Sequence, residues 1–205
     1  ILMKIRKQFL KSSIKFLVMR QSIIIILIIF ITELKAQEPI ISWQQTIGGS
    51  GLDYFISCNQ TSDNGYIIGG YSYSGISGDK TEGNIGSADY WILKLDSVGD
   101  IEWQNTIGGA STDFLASVEQ TFDGGYIIGG YSKSGASGDK TELNITGGEG
   151  YDYWIVKLNA LGSIEWQNTI GGNNDDFLVS THQTMDGGYI IGGYSSSTLS
   201  GDKSE

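Results

Sequence analysis

The sequence predicts an all-β fold assembled from a repeated four-stranded antiparallel unit of approximately 60 residues. Three observations carry this expectation. Ile101 to Gly109 (Ile-Glu-Trp-Gln-Asn-Thr-Ile-Gly-Gly) returns as Ile164 to Gly172 and, loosened, as Ile41 to Gly49. Tyr66 to Ser72 (Tyr-Ile-Ile-Gly-Gly-Tyr-Ser) is identical at Tyr126 to Ser132 and Tyr189 to Ser195, and Asp89 to Leu95 returns as Asp152 to Leu158. The tryptophans keep the same beat, 60 residues from Trp43 to Trp103 and 63 from Trp103 to Trp166. Self-similarity at a fixed period is the mark of a repeat architecture, in which each unit buries its faces against its neighbours.

Each unit divides into four strands, lettered a to d. In the second unit these are Phe114 to Thr121, Tyr126 to Ser132, Tyr153 to Leu158 and Ile164 to Ile170. Strand d alternates with period two: Ile164, Trp166, Asn168 and Ile170 share one face, Glu165, Gln167 and Thr169 the other. In strand c, Trp154, Val156 and Leu158 alternate against Ile155 and Lys157. Asp63-Asn64-Gly65, Asp123-Gly124-Gly125 and Asp186-Gly187-Gly188 supply tight a–b turns. Ser97 to Asp100 and Ala160 to Ser163 make equally short c–d turns. The b–c connections, 72–88 and 132–150, are long, and three extra residues in the second account for the longer tryptophan step.

The expected layout is a lone d strand at 41–49, blades at 50–109 and 110–172, and a partial blade at 173–205. That is under three β-propeller blades, whereas a closed propeller has about four to eight. The expectation is therefore the N-terminal part of a longer protein, in which the lone first strand pairs with later a, b and c strands to close the ring.

Residues 1–36 stand apart. Basic residues from Lys4 to Arg20 precede an apolar run from Ile23 to Ile31, and Ala36 precedes a polar start at Gln37. This is the pattern of a secretory signal peptide. The apolar run is about half of the roughly 18–20 residues a membrane span needs. Met19-Arg20 directly before it offers a second start, with 1–18 translated from upstream. After cleavage no transmembrane anchor is expected.

Residues 37–205 carry six lysines, no arginine and 22 acidic residues, a formal charge of −16. Such a surface repels phosphates, so nucleic acid is excluded as a partner. It favours divalent cations or neutral, hydroxyl-rich ligands. The single cysteine, Cys58, allows no internal disulfide.

An apolar strand ending in Gly-Gly, then Asp-Tyr-Trp-Ile-Val-Lys-Leu at 152–158, then Trp166, resembles the kelch repeat. It is still more similar to the longer, kelch-like repeats of bacterial secreted β-propellers, including the delta-60 type. The resemblance covers about residues 41–205 and implies an exported propeller. Thr61-x-Asp63-x-Gly65 is also similar to the start of an Asp-box, but Ile68 stands where that motif ends in an aromatic. With no arginine after residue 36, a sialidase carboxylate clamp cannot be built here.

In an up-and-down blade the d–a and b–c loops share one end, and long loops on a rigid scaffold are where binding sites concentrate. Gly-Asp-Lys-Thr-Glu-x-Asn at 78–84 and 138–144 offers oxygen ligands, which makes Asp79, Glu82, Asp139 and Glu142 candidates for calcium; the competing reading is solvated turn residues. Tyr71, Tyr73, Tyr131 and Tyr194, near the loop bases, are candidates for carbohydrate or peptide contact or for packing between blades. Tyr73 is the better candidate for exposure, since Lys133 and Ser196 replace it in the other copies, and Lys133 is the second ligand-binding candidate. His182 stands where other copies carry Asn59 and Glu119, and Cys58 where they carry Val118 and Thr181, so both read as strand positions rather than catalytic groups. No nucleotide loop, zinc cluster or serine triad is visible in the sequence. The expected function is a non-catalytic binding or scaffold module, secreted or on the outer cell surface, whose partner is an extracellular glycan or protein. The alternative is an exported carbohydrate-active enzyme.

Overall fold

The computed structural model describes residues 2–6 and 40–205, and these contain twelve β-strands and no helix. The apolar run 23–31 and the cleavage region of the expected signal peptide lie outside the described residues. By contact density the chain divides into two units, 1–45 and 46–205. In the first, β1 (Leu2–Arg6) pairs antiparallel with β2 (Ile40–Gln45), Leu2 opposite Gln45, and Ser42 Oγ donates to the Lys4 carbonyl at 3.0 Å. β2 overlaps the stretch 41–49 read as the first strand of the repeat region.

The second unit is a run of propeller-like blades. β3 (Asp53–Gln60), β4 (Tyr66–Ser72), β5 (Asp89–Leu95) and β6 (Ile101–Ile107) form one four-stranded antiparallel sheet in sequence order. β7 (Asp113–Gln120), β8 (Tyr126–Ser132), β9 (Asp152–Leu158) and β10 (Ile164–Ile170) form the second. β11 (Asp176–Gln183) and β12 (Tyr189–Ser195) form a two-stranded third. No closed barrel forms among the described residues. The strands match the sequence reading closely, but strands a and c each begin one residue earlier, at an aspartate. Asp113 and Asp152 flank Ser132 in register from either side, so the ladder extends to include them.

The tight a–b turns work as their chemistry demands. Asp123 Oδ1 accepts from Thr121 Oγ1 at 2.5 Å and from the Gly125 amide at 2.9 Å, and Gly124 takes φ +83°. Asp63 repeats the first two contacts, at 2.5 and 2.9 Å. The strand-c lysine closes the same corner. Lys157 Nζ lies 2.9 Å from both Asp123 and Glu165, as Lys94 lies 2.8 Å from Asp63 and Glu102. These hydrogen bonds from Thr121 and Lys157 hold the Asp123 carboxyl down at about 2.

Blades stack face to face through the Gly-Gly pair of strand b. A Cβ on Gly129 would meet Thr181 Oγ1 at 2.5 Å and Leu178 at 3.1 Å in the next blade, and one on Gly130 would lie 2.0 Å from the Phe114 carbonyl within its own. Only glycine lets the neighbouring strands approach this far. At the preceding junction, where a Cβ on Gly69 would meet Leu115 at 2.8 Å and Val118 at 3.1 Å, Tyr90, Ile128, Trp154, Val156 and Leu158 belong to one fully buried core. The Tyr90 ring lies 5.0 Å from that of Trp154 in the following blade, and its hydroxyl donates to the Trp154 carbonyl at 3.1 Å. Each fully buried aliphatic side chain contributes about 2–3 kcal/mol. The strand-d tryptophan extends the stack: Trp103 meets Tyr126 edge-on at 5.6 Å and Trp166 meets Tyr189 at 5.4 Å.

Candidate functional site

The a-strand N-termini, the b-strand C-termini and the long loops meet at one end of the blades. There the second residue of every strand a is aromatic (Tyr54, Phe114, Phe177) and faces the sixth residue of strand b (Tyr71, Tyr131, Tyr194) in register. Blade stacking joins these pairs into one row. Ring centroids are 4.9 Å apart for Tyr54–Tyr71, 4.5 Å for Tyr71–Phe114, 5.5 Å for Phe114–Tyr131, 4.9 Å for Tyr131–Phe177 and 5.0 Å for Phe177–Tyr194. Two further tyrosines lie along it. Tyr73 stands 6.3 Å from Tyr71 and 6.4 Å from Phe114; Tyr151 stands 5.4 Å from Tyr131 and 5.5 Å from Phe177. Such stacked, tilted and edge-on rings, within about 4.5–7 Å, are favourable pairings. The row is not sealed: Tyr54 and Tyr73 are each 41% exposed and Tyr194 63%, with the remainder half-buried. Burial, followed by the nearby Tyr71 and Tyr194, raises the Tyr131 phenol above its ordinary value, so it stays a neutral donor.

Beside Tyr151 lies a polar cavity of about 300 Å³, lined by Thr146, Glu149, Asn173, Asn174, Asp175 and Ser196. The Tyr151 amide donates to Asp175 Oδ1 at 2.9 Å, which ties the cavity to the row. This is where the copies differ most. Asn173-Asn174-Asp175 replaces Ala110-Ser111-Thr112, and Glu149 lies in the b–c loop that carries three extra residues.

The structure thus places Tyr71, Tyr73, Tyr131 and Tyr194 together in one row. Lys133, half-buried, holds the position of Tyr73, and its amide donates to the Thr112 carbonyl as that of Tyr73 donates to Leu52. Tyr54, Phe114, Tyr151 and Phe177 were not among the sequence candidates. The recurring aromatic one residue into strand a was the available signal for three of them; Tyr151, where the first blade has Ala88, had none.

The four acidic calcium candidates occupy other places. Asp79 Oδ2 accepts from the Gly48 amide at 3.0 Å and Asp139 Oδ2 from Gly108 at 3.2 Å. Glu82 Oε2 accepts from Thr106 N at 2.7 Å and Glu142 Oε2 from Thr169 N at 2.5 Å. Each carboxylate closes a backbone donor on strand d or the d–a turn of its own blade junction, and no group of three or more metal-ligating side chains gathers among the described residues. The lysine of the same segment turns inward. Lys140 Nζ donates to Asn144 Oδ1 and Thr169 Oγ1, both at 2.9 Å, and lies 5.8 Å from the Trp154 ring centre; Lys80 sits likewise against Thr106 and Trp91.

Strands β3, β7 and β11 line a third feature, a polar groove of about 770 Å³ that holds Cys58 and His182. Ser57 Oγ bridges Val118 N and O at 3.3 and 3.4 Å, and Asn59 Nδ2 donates to the Val118 carbonyl at 2.6 Å. Ser117 repeats the bridge to Thr181, and Glu119 meets His182 Nδ1 at 2.7 Å. Ser180 Oγ lies 3.1 Å from His182 Nε2, giving a hydroxyl–imidazole–carboxylate series that crosses two blades. The equivalent residues of the other copies join adjacent innermost strands, and Glu119–His182 does the same.

Fold and site together define a repeat-built, propeller-like blade protein with an aromatic row at its long-loop end. No family model and no curated protein matches the sequence.

Proposed function

We propose that this chain is a secreted or cell-surface binding module of the kelch-like, delta-60 kind, and that the aromatic row with its neighbouring polar cavity holds a neutral, hydroxyl-rich glycan. The observation that carries the reading is the row itself: six rings on strands and two beside them, half-exposed, next to a cavity of amide, hydroxyl and carboxylate groups. Apolar rings with a few convergent polar groups are the general composition of a small-molecule site. The flat, apolar face of a sugar ring stacks on a tyrosine while its hydroxyls reach Asn173, Asn174 and Asp175. The charge of −16 on residues 37–205 disfavours anionic ligands over neutral ones.

Scaffold behaviour follows from the same architecture. The repeated carboxylates and lysines are committed to backbone donors and strand corners, which leaves the single-copy residues to discriminate between ligands. A glycan array probed with the intact chain tests the proposal. Selective retention of neutral oligosaccharides is expected; retention of sulfated or sialylated glycans alone would contradict it.

A further inference from the structure

Strands a and c of the blades all begin on an aspartate, and at each junction the strand-c aspartate of one blade meets the strand-a aspartate of the next. Ala88 and Thr112 form a parallel bridge, and the Asp113 amide donates to the Ala88 carbonyl at 2.7 Å, which sets Asp89 beside Asp113. At the second junction the Asp176 amide donates to the Tyr151 carbonyl at 2.6 Å and sets Asp152 beside Asp176. Asp152 Oδ1 and Asp176 Oδ2 converge on the place a Cβ would take on Gly171, 2.1 and 2.9 Å from it; Asp89 Oδ1 lies 2.0 Å from the same place on Gly108. Asp89, Asp113 and Asp152 are 0% exposed and Asp176 3%. The first of these junctions lies between two complete four-stranded blades.

One oxygen of each carboxyl is committed to its own loop. Asp89 Oδ2 accepts from the Ile85 and Gly86 amides at 2.6 and 3.1 Å, and Asp152 Oδ2 from the Ile145 and Thr146 amides at 2.7 and 3.2 Å. Asp113 Oδ2 accepts from the Gly109 amide at 2.7 Å and Ser134 Oγ at 2.9 Å, as Asp176 Oδ2 does from Gly172 and Ser197. Asp89 Oδ1 and Asp152 Oδ1 are buried with no hydrogen-bond partner among the described residues. A second charge in so dry a place is costly, and a like charge beside it raises the cost. Lys80 faces Asp89, and Lys140 faces Asp113 and Asp152, but their ammonium groups donate to Thr106 and Thr169. Asp139, Tyr90 and Tyr151 face Asp113, and Tyr153 faces Asp176. Burial pushes Asp89 up to about 6 and raises Asp113 and Asp152 as well.

We infer that each blade junction holds one proton on its strand-c aspartate, at the unpartnered Oδ1, and that this proton is a pH-sensitive latch between the blades. With the proton in place the pair carries one negative charge, and the backbone bond across the junction stays closed. Without it, two buried carboxylates repel each other and that bond opens more often. The two acids interact, so the titration belongs to the pair rather than to either residue. The latch lies directly beneath the aromatic row: Phe114 follows Asp113, Phe177 follows Asp176, and Tyr151 precedes Asp152. The inference is independent of the glycan reading, since protons and backbone amides report on it without any ligand.

Two measurements on the intact chain test it, hydrogen exchange corrected for the intrinsic effect of pH and carboxyl-carbon nuclear magnetic resonance. Protection of the Asp113 and Asp176 amides, the donors across the two junctions, should be at least about tenfold lower at pH 8 than at pH 5, as loss of a proton bound with a shift of one pH unit or more requires. The carboxyl carbons of Asp89 and Asp152 should titrate above the ordinary aspartate range, with Asp113 and Asp176 responding at the same pH. The Asp89→Asn/Asp152→Asn double variant, whose amides stand in for the protonated acids, should keep its protection constant over that range. Protection in the parent that does not change with pH, Asp89 and Asp152 titrating at ordinary aspartate values, or a folded double variant that loses protection as the parent does would each overturn the inference.

Discussion

Tyr151 occupies at the second blade junction the place that Tyr73 occupies at the first, although the two come from different segments of the repeat. Tyr73 follows strand b and lies beside Tyr71 and Phe114; Tyr151 precedes strand c and lies beside Tyr131 and Phe177. Where Lys133 takes the Tyr73 position in the second blade, the ring is supplied from the other side of the long loop. Both junctions therefore carry a half-exposed ring, supplied by different sequence positions.

Replacing these rings should separate binding from folding. Tyr73→Ala, at a 41% exposed position, is expected to cost less than about 1 kcal/mol of stability. Tyr131→Ala removes a half-buried ring touching Phe114, Tyr151 and Phe177, and is expected to cost about 2–3 kcal/mol. Urea unfolding followed by tryptophan fluorescence measures both.

The blade junction also makes stability respond to pH in an unusual direction. Burial, opposed by hydrogen bonds from the Gly86 and Ile85 amides and assisted by Asp113, raises the Asp89 carboxyl to about 6. Its Oδ1 is buried without a hydrogen-bond partner among the described residues. Because the folded-state value lies above the unfolded one, the folded state holds the proton more tightly. Asp89 therefore contributes most below about pH 4 and loses that contribution as pH rises through about 6. Asp89→Asn should flatten this part of the profile and raise stability at pH 8 by roughly 2 kcal/mol. Thermal unfolding between pH 4 and 8 checks both; a mutant less stable than the parent at pH 8 would refute the assignment.

Lys140 is a structural cation. Lys140→Met leaves Asn144 Oδ1, Thr169 Oγ1 and the Glu142 carbonyl without their shared donor and is expected to cost about 3 kcal/mol. Lys133→Ala, half-buried and outside any ion pair among the described residues, should stay within about 0.5 kcal/mol. Equal losses in urea unfolding would contradict the difference.

Backbone approach sets a sharp steric contrast. Gly130→Ala would place Cβ 2.0 Å from the Phe114 carbonyl and should cost at least about 2–3 kcal/mol. A Cβ on Gly192 meets nothing within 4 Å, so Gly192→Ala should change stability by less than about 1 kcal/mol. The difference in melting temperature between the two variants measures it.

The blades were legible in the sequence because their signals are local. Tyr126 to Ser132 and Ile164 to Ile170 coincide with β8 and β10, where period-two alternation and Asp-Gly-Gly turns act over a few residues. The site was half legible. Tyr71, Tyr131 and Tyr194 stood out by repetition and Tyr73 by its replacement in the other copies, but the pairs join into one row only where Phe114 and Phe177 meet a tyrosine of the preceding blade, 43 and 46 residues away in the chain. The acidic loop residues were visible as oxygen donors, yet whether Asp79 and Glu82 face solvent, a cation or a backbone amide depends on where the d strand returns. That return puts Thr106 N at 2.7 Å from Glu82 and the Gly48 amide at 3.0 Å from Asp79.

Binding of a neutral glycan by the aromatic row is tested most directly by one titration. A soluble neutral oligosaccharide retained on the array is titrated calorimetrically into the parent chain and into the Tyr73→Ala/Tyr151→Ala double variant, with melting temperatures recorded alongside. Saturable binding to the parent is expected, with at least about tenfold weaker binding to the variant, whose melting transition stays cooperative. Equal affinity for a folded double variant would contradict it.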